Sequence, residues 1–131
     1  MERSKESVVF LDTHVVVWLF ENRLDTLSKK ALRILEQYPL YISPMVKLEL
    51  GFLKEVKKIK HNSEVILSEL LSTIGLEIAQ THFHQVIQNA SLLSWTRDPF
   101  DRIITAEAMV HGATLISCDK TIQKYYEKAV G

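Results

Sequence analysis

The chain has 131 residues, 47% of them hydrophobic and 24% charged, which is enough for one globular domain without a disordered or low-complexity segment. Sixteen basic residues balance sixteen acidic ones, so a polyanionic partner must be held by a local patch and not by the net charge. The single Cys118 excludes an internal disulfide and an all-cysteine zinc site, and no apolar run suits a membrane span or a signal peptide, so we expect a cytoplasmic protein.

The first half of the chain predicts two buried strands, each followed by helices. Residues 8–11 are all apolar, as in a parallel strand covered on both faces, and a short helix over residues 15–20 follows. A second helix opens at residues 27–30. Residues 40–42 predict the second strand, and Ser43-Pro44 is typical of a helix start. Glu49 then lies in the second turn of that helix, which forms a hairpin with another helix over residues 62–72.

The second half repeats this alternation. Residues 75–79 predict a short third strand, and Thr81 is a candidate cap for a helix over residues 82–93. Asp98-Pro99 starts a helix that runs to His111, residues 113–118 predict the last strand, and a short helix follows Asp119. The predicted fold is therefore a single α/β domain over residues 1–131. Its central, mostly parallel sheet has about four to five strands flanked by helices, after a flexible extension at residues 1–6.

Acidic residues stand at or just beyond the points where predicted strands give way to helices. They are Asp12, Glu49, the pair Asp98 and Asp101, and Asp119. Helix capping or the helix dipole explains each aspartate taken alone, whereas Glu49 lies beyond the first turn. The carboxyl ends of parallel strands share one edge of a sheet, so the acids together predict a metal site there. Carboxylates favour Mg²⁺ or Mn²⁺, and the chemistry indicated is metal-assisted hydrolysis.

Several motifs around these acids resemble PIN-domain proteins of the VapC type, the toxic ribonuclease half of bacterial toxin–antitoxin pairs. The similarity covers nearly the whole chain. It is carried by Leu11-Asp12-Thr13-His14, Leu27-Ser28-Lys29-Lys30-Ala31, Tyr41-Ile42-Ser43 with Glu49, Arg97-Asp98-Pro99-Phe100-Asp101-Arg102 and Ser117-Cys118-Asp119-Lys120. One departure is Thr96, where such proteins often have a histidine.

The resemblance implies a metal-dependent endoribonuclease that hydrolyses RNA phosphodiester bonds with a water activated by Mg²⁺ or Mn²⁺. It further implies a homodimeric toxin neutralised by a small antitoxin. The catalytic and metal-binding residues would be Asp12, Glu49, Asp101 and Asp119. Secondary roles fall to Asp98, as an outer ligand or a cap, and to Thr13, as a supporting hydroxyl.

Other features are open to two interpretations. Lys54, Lys57 and Lys58 are a solvated helix face by default, and contact the RNA backbone if they border the site. The apolar helices at residues 15–20 and 65–71 are candidate partner surfaces. Cys118 is expected to be a small buried side chain, and Trp18 and Trp95 to belong to the core or an interface more than to a base-stacking platform. The histidines form no metal motif.

Two alternative functions remain at this point. A phosphoryl-accepting, receiver-like signalling domain also places acids at strand ends, but this chain lacks the adjacent acidic pair of such domains after its first strand. A degenerate, non-catalytic PIN-like binding module would keep the fold and the partner without the chemistry. The presence of all four acids disfavours it.

Overall fold

A computed structural model describes residues 8–131, and the extension predicted for residues 1–6 lies outside them. The strands are β1 (Val9–Leu11), β2 (Leu40–Ile42), β3 (Glu77–Ile78), β4 (Thr114–Ile116) and β5 (Ala129–Val130). They form one sheet in the order β3-β2-β1-β4-β5, and every neighbouring pair is parallel. The predicted α/β class is confirmed, and β5 is a strand that the sequence pattern did not locate.

Seven helices flank the sheet in the described part of the chain. They are α1 (Thr13–Phe20), α2 (Lys29–Gln37), α3 (Pro44–Glu55), α4 (Ser63–Ile74), α5 (Phe83–Ala90), α6 (Pro99–Val110) and α7 (Lys120–Tyr125). Side-chain caps explain where several of them begin: the Ser28 hydroxyl accepts from the Ala31 N–H, and the Ser43 hydroxyl from the Met45 N–H, both at 3.1 Å. The predicted start at Ser43-Pro44 is confirmed.

The centre of the sheet determines where the acids lie. β1 is paired on both sides, with Val9 in register with Leu40 of β2 and with Thr114 of β4. All three residues of β1 are buried, as expected for a strand covered by helices on both faces. The Asp12 N–H continues the ladder by donating to the Ile116 carbonyl at 3.0 Å. The residue after β1 is therefore held at the middle of the carboxyl edge.

The third predicted strand is shorter than expected, and the helix after it begins differently. Gly75 does not belong to β3, because it ends α4. It adopts the left-handed conformation, with φ of 70°, and its N–H donates to the Leu71 carbonyl. The prediction that Thr81 caps α5 is wrong. Its hydroxyl instead donates to the buried Glu107 carboxylate at 2.6 Å and lies 2.8 Å from His111 Nε2. A tertiary contact with α6 thus replaces the local cap.

The two helices proposed as partner surfaces differ in exposure. Val15, Val16 and Val17 of α1 are buried in the core, which leaves the half-buried residues 18–20 of the predicted surface for a partner. α4 packs its other face inward and leaves Val65 47% and Leu71 54% exposed, which keeps this helix available to a partner.

Within residues 8–131, no helix has the length and apolar character needed to cross a bilayer.

Candidate acidic active site

Asp12 is fixed in place from two directions. One carboxylate oxygen accepts a hydrogen bond from the Thr13 N–H at 2.7 Å, which caps α1. The other accepts from the Ser117 hydroxyl at 2.7 Å, just beyond the end of β4. Only 6% of Asp12 is exposed. The protein therefore orients both oxygens before any ligand arrives, one from the following helix and one from beyond the neighbouring strand.

Glu49 reaches the same edge of the sheet from the second turn of α3, the helix that follows β2. Its carboxylate accepts a hydrogen bond from Thr13 Oγ1 at 2.5 Å. Thr13 is fully buried, and it contacts Asp12 through its N–H and Glu49 through its hydroxyl. One residue therefore sets the positions of two acids that are far apart in sequence.

Asp98 and Asp101 enter the site from the start of α6. Asp98 Oδ1 accepts from the N–H groups of Phe100 at 2.8 Å and Asp101 at 3.3 Å, so Asp98 is the N-cap of the helix. Among the described residues, no hydrogen-bond donor reaches the Asp101 carboxylate. Phe100 packs near Phe52 of α3, with ring centroids 5.9 Å apart, and this contact helps to hold α6 beside the helix that carries Glu49.

Asp119 comes directly before α7 and caps it. Its Oδ1 accepts from the N–H groups of Thr121 at 2.8 Å and Ile122 at 3.0 Å. Its own N–H donates to Ser117 Oγ at 3.1 Å, while Ser117 donates to Asp12. Ser117 therefore connects two of the acids, a role that the sequence alone did not reveal.

All five acids line one cavity of about 290 Å³: Asp12, Glu49, Asp98, Asp101 and Asp119. Its remaining lining residues are His14, Trp18 and Cys118. Across residues 8–131, no three histidine, cysteine or acidic side chains are arranged to hold one metal ion. The acids thus share a cavity without meeting at one coordination point.

Burial and mutual repulsion oppose ionisation in this cavity. Burial, followed by repulsion from Asp98 and the other acids, raises the pKa of Asp101 to about 7. Burial also raises the pKa of Asp12, although its two hydrogen bonds act in the opposite direction. Burial raises the pKa of Glu49 as well, against the hydrogen bond from Thr13. Positive charge in the cavity would favour ionisation of all three carboxyl groups and so lower their pKa values.

That positive charge does not come from a salt bridge. Within the described residues the ion pairs lie elsewhere on the surface, between Arg23 and Glu21 and between Lys47 and Glu64. Electrostatic attraction to His14 lowers the pKa of Asp12 and of Glu49, but less than burial raises it. The cavity therefore has a large excess of negative charge once its acids are ionised.

The lysines proposed to contact RNA lie apart from this cavity. Lys54 is at the end of α3, and Lys57 and Lys58 follow it. All three side chains are exposed, and none lines the acidic cavity. Their contact with RNA stays a prediction, and it would require a substrate that extends beyond the acids.

Three lining residues were not expected at the site. His14 and Trp18 both face the cavity from α1, and Trp18 also packs against the core. Cys118 is half-buried on the cavity wall, so the expectation of a buried cysteine is wrong. Their sequence signal is proximity, because His14 follows Asp12 by two residues, Trp18 lies one turn later, and Cys118 precedes Asp119.

Solved structures with the same architecture include three from bacteria. VapBC2 from Rickettsia felis, bound to a DNA fragment from its promoter, has a TM-score of 0.65 and 19% identity, covering 94% of this chain and 96% of that chain. A toxin–antitoxin complex from Klebsiella pneumoniae has a TM-score of 0.65 and 21% identity, with the same coverage. VapBC-1 from nontypeable Haemophilus influenzae has a TM-score of 0.61 and 19% identity, covering 92% and 91%. At these identities the similarity shows the fold.

The sequence itself identifies the family. Among curated protein sequences, none matches this chain at a significant level. The family profile described as "PIN domain" matches residues 9–128, which includes every strand of the sheet up to β4 and all five acids of the cavity. The chain therefore belongs to the PIN domain family.

Proposed function

We propose that this protein is a Mg²⁺- or Mn²⁺-dependent endoribonuclease. The observation that carries the proposal is the single cavity lined by five acids, in which, among residues 8–131, no lysine or arginine is a lining residue. PIN domains of the VapC type are generally nucleases, which agrees with this site chemistry. The four residues proposed to act are Asp12, Glu49, Asp101 and Asp119.

The donor set fits a hard divalent cation. Carboxylate oxygens are the ligands that Mg²⁺ and Mn²⁺ prefer, and the raised pKa of Asp101 shows how unfavourable full ionisation is without a counter-charge. Asp12, Glu49, Asp101 and Asp119 would hold the ion. When bound, the cation supplies the charge that activates water and offsets charge on the phosphate oxygens.

The surrounding residues orient these acids. Thr13 and Ser117 donate to Glu49 and Asp12, which leaves fewer side-chain positions open to either carboxylate. Asp98 holds the first turn of α6 through two N–H groups, and this fixes the backbone that carries Asp101. No side-chain nucleophile is needed, because water is the attacking group.

The test is RNA cleavage with and without metal. We expect the purified protein to cut transfer, ribosomal or messenger RNA in the presence of Mg²⁺ or Mn²⁺, and chelator to stop it. Asp12→Asn should lose activity while keeping the α1 cap, because asparagine caps helices as well as aspartate does. Asp25→Asn, at an exposed position outside the cavity, is the matched control. Metal-independent cleavage, or equal activity of both variants, would contradict the proposal.

We also propose that the protein is a homodimeric toxin neutralised by a small antitoxin. Two structural neighbours carry the VapBC name and the third is a toxin–antitoxin complex, which supports an antitoxin partner here. The exposed apolar residues of α3 and α4, among them Leu48, Phe52 and Leu71, offer surface for such contacts. Light scattering should give twice the monomer mass. The small protein encoded by an upstream reading frame, when co-expressed, should co-purify with this chain and suppress its cleavage of RNA. A monomer that binds no partner would contradict the proposal of a homodimeric toxin with an antitoxin.

The two alternative functions, a receiver-like domain and a degenerate binding module, differ in how well they agree with the fold and the family match. The family match and the strand order β3-β2-β1-β4-β5 argue against a receiver-like domain, whose order is 2-1-3-4-5. A degenerate, non-catalytic binding module, which would keep the fold and the partner without cutting RNA, remains the second candidate. The cleavage assay above separates the two outcomes.

A further inference from the structure

Two aromatic side chains, His14 and Trp18, lie on the cavity wall beside the acids. We propose that His14 and Trp18 bind a nucleobase of the substrate beside the acids. The inference rests on the proposed ribonuclease function and names two residues that would hold the substrate.

The position of the pair follows from helix geometry. His14 and Trp18 are four residues apart on α1 and so lie one above the other on the same face. Their ring centroids are 6.4 Å apart, with 48° between the ring planes. His14 is exposed and Trp18 half-buried, and both line the cavity that holds the five acids. Trp18 also packs against the core, which restricts its ring to this place.

The charge of the cavity explains why stacking is favoured here. Five acids line it, and ionised carboxylates repel the phosphates of an approaching strand. Within the part of the chain that the structure describes, no lysine or arginine lines the same cavity. The uncharged face of a base can approach this wall without that repulsion. Aromatic rings provide attraction for any base, because every base has a π-face.

The same geometry selects for single strands. A base inside a duplex is covered on both faces by its neighbours, whereas a base in a loop or a free strand can leave the stack and lie on an aromatic ring. Removing such a ring lowers affinity by roughly 5- to 150-fold in other single-strand binding sites. An effect of that size is the expectation for Trp18.

The chain contains two tryptophans, which allows Trp18 to be observed by itself. Trp95 stacks on Tyr125, with centroids 5.4 Å apart and planes 8° apart, and it does not line the cavity. The variant that combines Trp95→Phe with Asp101→Asn therefore reports on Trp18 without cutting the probe. We expect a short oligoadenylate to quench its fluorescence, and an RNA duplex or an abasic ribose-phosphate oligomer of the same length to leave it unchanged.

Cleavage kinetics give the second readout, on a single-stranded RNA that the wild type cuts. Trp18→Leu and His14→Ala should raise KM, by roughly 5- to 150-fold for Trp18, with a smaller change in kcat. Trp18→Phe should retain most of the affinity, which separates loss of the ring from loss of core packing. Trp95→Leu and His84→Ala, both outside the cavity, are the matched controls and should keep the wild-type KM.

The outcomes separate this inference from the proposed function. A wild type that cuts no RNA would remove the proposed function, while the fluorescence titration would still decide whether the rings bind a base. Active Trp18→Leu protein with unchanged KM would overturn the inference and leave the nuclease intact. Equal quenching by the oligoadenylate and the abasic oligomer would overturn it as well, since the contact would then be with the sugar-phosphate backbone.

Discussion

At the scale of single residues, Asp101 has the environment least suited to a free carboxylate. It is half-buried, faces four other acids and has a pKa of about 7, against an ordinary value of 3.8. The neighbouring Asp98 contributes the largest repulsion. The carboxylate proposed to act in catalysis is therefore also a source of instability in the metal-free protein, which is the pattern expected of a functional site.

We predict that Asp101→Asn raises the melting temperature of the metal-free protein at pH 8 and abolishes RNA cleavage. The amide cannot ionise, so the repulsion disappears, while activity should fall at least about 100-fold, since even supporting residues of metal sites cost 10- to 100-fold. Circular dichroism in the presence of chelator measures the first effect. Asp25→Asn is the control, and a lower melting temperature for Asp101→Asn would contradict the prediction.

Ser117 is the second residue with a specific expectation. It is fully buried, donates to Asp12 and accepts from the Asp119 N–H. Ser117→Ala should lower the free energy of unfolding by about 1–3 kcal/mol, because a buried acceptor and a donor lose their partner. Denaturant titration checks this, with the exposed Ser72→Ala as control. An unchanged midpoint would mean that water replaces the hydroxyl.

At the scale of elements, α6 depends on a residue that also lines the site. Asp98 caps this helix through two N–H groups, and its own carboxylate faces the cavity. A helix cap needs only a side-chain oxygen, which asparagine also provides, whereas a metal ligand at this site needs the charge of the carboxylate, which asparagine lacks. The two roles that the sequence left open for Asp98 can therefore be separated by substitution.

We predict that Asp98→Asn keeps both stability and most of the cleavage activity, because the structure shows Asp98 as a cap. Asp98→Ala should cost about 1 kcal/mol in unfolding free energy. Thermal melts of the two variants in chelator, with cleavage rates at saturating Mg²⁺, decide the matter. If Asp98→Asn is as inactive as Asp101→Asn, the residue is a ligand and its capping role is secondary.

The element scale also shows what the sequence could and could not predict. Local signals such as Ser43-Pro44 and Asp98-Pro99 identified two helix starts, because capping involves residues adjacent in the chain. The two-residue strand β5 has no periodicity to detect, and it is defined by its pairing with β4. Thr81 was misjudged for the same reason, since its partners Glu107 and His111 come from a distant helix.

The candidate site also contains residues that the sequence could predict and residues that it could not. Asp12 and Asp119 were predictable because each follows an apolar strand, and in a parallel sheet those ends share an edge. Ser117 was not singled out, and Trp18 was expected in the core or an interface, since their contribution depends on which side of a helix or loop faces the cavity. The carboxylates were expected to converge on one point, whereas the structure brings them only to a common cavity.

At the scale of the whole molecule, stability should depend on pH and metal together. The unfolded chain ionises Asp101 near pH 4, while the folded protein retains that proton until about pH 7. The folded state thus binds more protons between these values, and metal-free stability from this group falls as pH rises from about 4 to about 7. Asp12 and Glu49 act in the same direction.

We predict that Mg²⁺ or Mn²⁺ raises the melting temperature, more at pH 8 than at pH 6, and that chelator reverses the gain. The pH difference follows because a ligand must lose its proton to bind. At 100 times the dissociation constant, binding adds about 2.7 kcal/mol. Differential scanning fluorimetry across metal concentration and pH measures this. Unchanged melting at saturating metal, or a larger shift at pH 6, would contradict the prediction.

The order of strands in the sheet has a consequence for how the protein matures during synthesis. β1 is synthesised before β4, which pairs with it on one side, and Ser117, which donates to Asp12, follows β4. A growing polypeptide that still lacks β4 has Asp12 without that support and has no Asp119. The four acids proposed to hold the cation can therefore come together only after β4 and Asp119 have been synthesised.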